Sequence, residues 1–288
     1  PGVRAGPSGD LPPQSAAFPR SAGLERVLAE GVAPLIWGIG VAVFSYLLVP
    51  AMLPLYHHHR VKNYRGELVP AGLGYAFILP AVFVSVLRWP LDAKSLTGAV
   101  LLLVYAALGS VDDACGSQKE KGWRGHLLSG RFSTGILKAV GGGAAALIAA
   151  APVSIGWLEL IIDAGLVALS ANFLNLLDLR PGRAAKAFLL LGLPLNLTGA
   201  DSGSLKMLSW AVAGYLPWDL RRKAMMGDTG SNTLGAALGW QAARGLPLIP
   251  KAVLTALLIG LNLLSEKVSF STLIERSRFL HFLDQLGR

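Results

Sequence analysis

At 288 residues the chain could hold one or two soluble domains, but 53% hydrophobic and only 15% charged residues exclude an ordinary water-soluble globule and indicate a polytopic membrane protein. A net charge of +9 would suggest nucleic acid in a soluble protein; here it fits cytoplasmic loops facing anionic headgroups, and no nucleic-acid partner is expected. The single cysteine, Cys115, excludes an internal disulfide and a multi-cysteine metal cluster.

Residues 1–30 are rich in Pro, Gly, Ser and Ala without periodicity and begin at Pro1 rather than Met, so they read as a disordered lead or the start of a truncated chain. A membrane domain is expected over 31–266, with a cytoplasmic amphipathic tail over 267–288. Its first apolar run, 32–56, is too long for a signal-peptide core and is read as a retained span. A polar, basic loop around His57-His58-His59-Arg60 follows; three consecutive histidines point in different directions and do not make a metal site. Further spans are predicted over 69–87, 96–111, 134–151, 155–177, 184–197, 205–220, 232–242 and 248–264, and the polar segment 112–133 includes a headgroup-facing loop, Lys119 to His126. The eighth is the least apolar, and the sixth and seventh are short and interrupted by proline.

If Arg60 lies inside, most Lys and Arg outside the lead fall on loops of that same side, including Lys119, Lys121, Arg124, Arg180, Arg183, Arg221, Arg222 and Lys223. The positive-inside rule then predicts an all-α bundle of about nine transmembrane helices, N-terminus out and C-terminus in. The same map brings three polar motifs to the cytoplasmic face: Asp112-Asp113, Asn172-x-x-Asn175-x-x-Asp178, and Gly227-Asp228-Thr229-Gly230-Ser231. Acids at a helix C-terminus oppose the helix dipole, so Asp112 and Asp113 call for a positive partner. Asn172, Asn175 and Asp178 recur at helical spacing along one side, a costly stripe in lipid unless it lines a polar cavity. In the third motif, glycines let the backbone approach a ligand, Asp228 suits a hard cation and the following helix start favours anions. The structural alternative there is a tight turn with Ser231 as N-cap. Lys138 lies close enough to the interface to snorkel. No phosphate loop of the soluble NTPases and no Ser/His/Asp arrangement stands out, and Asp-Thr-Gly lacks the second loop an aspartic protease needs.

Together and in this order, the three motifs resemble the polyprenyl-phosphate N-acetylhexosamine-1-phosphate transferases, over roughly residues 64–235. The resemblance implies transfer of a sugar phosphate from a UDP-N-acetylhexosamine to polyprenyl phosphate at the cytoplasmic face of a bacterial plasma membrane, with UMP released. It implies Mg²⁺ as cofactor, with Mn²⁺ as a substitute, and Asp228 as metal ligand. By the same resemblance Asp112, Asp113 and Asp228 are catalytic, while Lys138, Asn172, Asn175, Asp178, Gly227 and Ser231 bind substrate. A homodimer is a further expectation. The chain departs from the family pattern at Pro181, where the family has a second acid, and its tail offers His281 in place of a His-rich motif before a tenth span. Those departures motivate the alternative of a relative that binds polyprenyl phosphate or nucleotide sugar without turnover. A transporter would place its polar groups at bilayer depth rather than at one interface.

Overall fold

A computed structural model describes Gly2 and residues 32–88, 93–115, 134–198 and 203–288. Apart from Gly2, the expected disordered lead lies outside the described residues, as does the headgroup-facing loop, Lys119 to His126. The chain divides into two compact units, Pro1–Ile36 and Trp37–Arg288. In the first, the described residues are Gly2, Val32 and the opening turn of helix α1 (Ala33–Met52). The second carries the rest of α1 and every other element: strands β1 (Arg60–Lys62) and β2 (Leu68–Pro70), then α2 (Tyr75–Arg88), α3 (Ala93–Cys115), α4 (Thr134–Ala150), α5 (Gly156–Leu177), α6 (Arg183–Leu195), α7 (Gly203–Leu220), α8 (Gly227–Gly245), α9 (Leu248–Ser265), α10 (Phe270–Arg276) and α11 (Arg278–Gln285).

Among the described residues a helix covers each of the nine expected segments, but only four are long and apolar enough to cross a membrane: Ala33–Met52, Leu96–Cys115, Gly156–Leu177 and Leu248–Ser265. Tyr75–Leu87 and Gly135–Ala150 are apolar but shorter. Large apolar side chains such as Ile148, Trp157, Ile249 and Leu263 stand exposed on the outer faces of these helices, as lipid-facing positions do.

The architecture is all-α with one addition to the expectation. The basic loop after α1 holds an antiparallel hairpin, Arg60 opposite Pro70 and Lys62 opposite Leu68. Its turn follows from Asn63, whose Oδ1 accepts the amides of Arg65 (2.8 Å) and Glu67 (3.1 Å), and from Gly66 at φ +80°. The chain then passes through β2 and a short non-helical link, with Gly72 at φ +84° and a turn at Leu73–Gly74, instead of entering a helix at residue 69. The Met225 amide donates to the Pro70 carbonyl, and the amides of Leu73 and Gly74 donate to the carbonyls of Met225 and Met226. This pairing seats residues 225–226, immediately before Gly227, against the start of α2.

Helix α8 is the axis of the bundle. Every residue from Thr229 to Ala243 is buried, and its closest neighbours are α5 and α3. Glycine makes that approach feasible: a Cβ at Gly235 or Gly239 would collide with the α5 backbone at Ser170–Ala171 or Leu166–Val167, and one at Gly109 of α3 with the backbone of Asp228. Around this axis the main core gathers Phe77, Phe188, Leu174, Leu208, Met226 and Tyr215, with Phe77 and Tyr215 edge to face at 5.0 Å between centroids. At the opening turns of α5 and α9, buried Lys251 lies 2.7 Å from Glu159 and 3.0 Å from Asp163, whose other oxygen accepts from Ser154.

Candidate active site

The site forms where α3 and α5 end and α8 begins. Gly227 takes φ +65°, a left-handed conformation at the point where the non-helical residues 224–226 give way to the helix. The first amides of α8 have no partners inside their own helix. Asp113 supplies them from α3: Oδ1 accepts the Asp228 amide at 2.8 Å, while Oδ2 accepts the Thr229 amide at 2.9 Å and the Thr229 hydroxyl at 2.6 Å. The capping that the structural alternative gave to Ser231 therefore comes from a different helix, 115 residues away in sequence. A carboxylate here meets both the orphan donors and the positive end of the helix dipole. A Cβ on Gly227 would come within 2.6 Å of the Asp113 carboxylate, so the glycine is required for the approach as well as for the turn.

Clamping Asp113 to α8 carries its neighbour Asp112 toward Asp228. The two share one ammonium: Lys138 of α4 donates to Asp112 Oδ2 at 2.9 Å and to Asp228 Oδ2. Lys138 is the positive partner that Asp112 calls for, while Asp113 finds its own in the positive end of α8. Asn175 adds its amide to Asp228 Oδ2 at 3.3 Å and is oriented by Ser231, whose hydroxyl donates to Asn175 Oδ1 at 2.9 Å. Asp178 caps the end of α5. Burial, and then the carboxylates of Asp219, Asp228 and Asp113, push its carboxyl well above the ordinary aspartate range.

Seven of the sequence-predicted site residues, Asp112, Asp113, Lys138, Asn175, Gly227, Asp228 and Ser231, thus join one network, with Asp178 beside it. Asn172 does not: its amide donates to Asn262 of α9 at 2.5 Å and ties α5 to α9. Sequence reasoning overlooked Asp219. This buried acid at the end of α7 accepts the Gly182 amide at 3.0 Å and so holds the turn that follows Asp178, with Gly182 itself at φ +71°. The signal that finds it is the one that marks Asp112, an acid in the last turn of an apolar segment just before basic residues.

Chemically the cluster is acceptor-rich and short of positive charge. Among the described residues no set of three or more His, Cys, Asp or Glu is arranged to hold a metal by itself. Asp112 and Asp228 nevertheless converge on one cation, with the Lys138 ammonium standing where a hard divalent ion would find two carboxylate oxygens. One or two protein carboxylates, completed by phosphate and water, are what Mg²⁺ ordinarily takes. The residues present fit that ion.

In a helical membrane bundle, a lysine-bridged acidic cluster at one end of the spans marks that end as the candidate functional site. The model of glycosyl transferase family 4 matches residues 95–245, which run from α3 through α8 and contain every residue of the network. The chain belongs to that family, as a divergent member of the polyprenyl-phosphate N-acetylhexosamine-1-phosphate transferases. It is 26% identical over 245 residues to the phospho-N-acetylmuramoyl-pentapeptide-transferase of Moorella thermoacetica, covering 75% of this chain and 76% of that protein.

Proposed function

We propose that this protein transfers a sugar-1-phosphate from a UDP-N-acetylhexosamine to a polyprenyl phosphate at the cytoplasmic face of a bacterial plasma membrane. The observation that carries the reading is the convergence of Asp112 and Asp228 on Lys138 within the family-matched stretch. An oxygen of the lipid phosphate attacks the sugar-bearing phosphorus of the donor. A new P–O–P bond forms, the bond to the oxygen bridging the two donor phosphates breaks, and UMP leaves. The lipid phosphate is already ionised at neutral pH, so the demand on the protein is to bring anions together rather than to remove a proton. Lys138 neutralises part of that charge, and Asn175, held by Ser231, orients donors at the diphosphate. Asp228, with Asp112 beside it, would hold Mg²⁺, which supplies charge neutralisation at the phosphoryl oxygens. Asp113 keeps the start of α8 in register with both.

Purified protein incubated with UDP-N-acetylhexosamine, polyprenyl phosphate and Mg²⁺ is expected to release UMP, and Asp228→Asn to lower that rate about a hundred-fold or more. Wild-type turnover in Asp228→Asn would remove Asp228 from the mechanism. A second reading is favoured by Pro181, which stands where the family has an acid: a relative that binds these substrates without turnover. Binding of the nucleotide sugar with no UMP released would establish it over the first.

A further inference from the structure

Helix α11 is mounted with its one acid, Asp284, inward. Asp284 is 6% exposed and receives two guanidinium groups: Arg183 donates Nε and Nη2 to its oxygens at 2.8 and 3.1 Å, and Arg288 donates Nη1 and Nη2 at 3.0 and 2.7 Å. Lys186 of α6 caps the same end, donating to the carbonyls of Leu283, Asp284 and Leu286 at 2.8, 2.6 and 3.1 Å. The one acid of the helix is thus consumed by Arg183 and Arg288, and the carbonyls at its end by Lys186, while Arg278, His281 and Gln285 stay exposed.

The face turned away from Asp284 is apolar and bare. At about 100° per residue Phe282, Leu286 and Phe279 fall within about 40° of the direction opposite Asp284. They are 62%, 53% and 69% exposed. In a water-soluble protein this orientation would be reversed. Two further observations say what covers it. The helix follows within one short element of α9, which is long and apolar enough to cross the membrane and exposes Leu257 and Leu263, so the lipid surface begins beside it. Arg276 and Arg278, exposed at its start, and Lys267 before α10 add positive charge at that edge.

We infer that α11 is an interfacial helix that lies in the headgroup layer, with Phe279, Phe282 and Leu286 among the acyl chains and Arg276 and Arg278 on anionic headgroups. Because Arg288 also donates to the Pro181 carbonyl at 2.9 Å, the depth of α11 in the lipid sets the height of the turn that follows Asp178.

The test uses the full chain in a Cys115→Ala background. A single cysteine at Phe282→Cys or at His281→Cys, about 100° around the helix, carries an environment-sensitive fluorophore. The protein is reconstituted into vesicles of equal parts phosphatidylcholine and phosphatidylglycerol containing a headgroup-proximal nitroxide lipid. The probe at 282 is expected to emit further to the blue, to be quenched by the nitroxide, and to be several-fold less accessible to aqueous iodide than the probe at 281. Equal iodide quenching at the two positions would put the face in water and overturn the inference. Shielding from both iodide and nitroxide, with cross-linking to twice the chain mass, would give the face to a second copy and overturn it equally. Nitroxide quenching should weaken in phosphatidylcholine alone; unchanged quenching there would remove the claim on anionic headgroups.

Discussion

Asp113 spends its charge on a helix rather than on open space, and the position that senses this most directly is Gly227. Replacing Gly227 with Ala forces a side chain into φ +65° and brings its Cβ against the Asp113 oxygens. The expected outcome is a loss of about 1–3 kcal/mol in stability, measured by thermal or denaturant unfolding in detergent, with a further loss of UMP release because Asp228 leaves its register. An Ala at exposed Gly260, where a Cβ would meet nothing, is the matching control. The residue scale is also where sequence reasoning is most incomplete. The spacing of Asn172, Asn175 and Asp178 places them along one side of α5, but a stripe on a helix can serve two neighbours. Asn175 turns to α8 while Asn172 turns to Asn262 of α9. Nothing local distinguishes the two amides.

At the scale of elements, hydropathy is a guide only for helices that touch lipid. Helix α8 is the least apolar of the expected spans and yet the most enclosed, because protein surrounds it on all sides and its small residues serve close packing rather than contact with acyl chains. The same principle governs the polar pins between helices. Lys251 is 4% exposed and joins α9 to Glu159 and Asp163 of α5. Lys251→Ala leaves Asp163 buried without its cation, and a loss of about 3–5 kcal/mol is expected in unfolding measurements. Lys251→Met paired with Asp163→Leu and Glu159→Leu should recover most of it. The tail is held by a pin that titrates. Burial would raise the Asp284 carboxyl, but hydrogen bonds and charge from Arg183 and Arg288 prevail and hold it below the ordinary aspartate range. Because the folded value lies below the unfolded one, its stabilisation is complete above the ordinary range and disappears as pH falls through the depressed value. The hydrogen-exchange protection of α10 and α11, relative to the intrinsic rate at each pH, should therefore fall only on acidification below the usual carboxylate range, and Asp284→Asn should show the low protection at neutral pH.

For the molecule as a whole, orientation in the membrane follows from charge placed on one set of loops, and Cys115 reports it. It is the single cysteine, exposed at the end of α3 two residues beyond Asp113. A membrane-impermeant maleimide is expected to label it in inside-out vesicles and not in intact cells; labelling from outside would invert the topology and move the site to the wrong face for a cytoplasmic nucleotide. What the sequence determined by itself was the solvent of the protein, the helical segments and the three motifs that meet. Each of these depends on local quantities: apolar run length, the sign of loop charge, and residue types at short spacing. What only the tertiary structure decided was which carboxylate caps a helix and which faces a cation, how Asp219 enters through the amide of Gly182, and why the amphipathic tail turns Asp284 inward. Those outcomes depend on partners 26 to 116 residues apart, and a hydrogen bond is assigned by which donor the fold brings within reach, a quantity no short window of sequence contains.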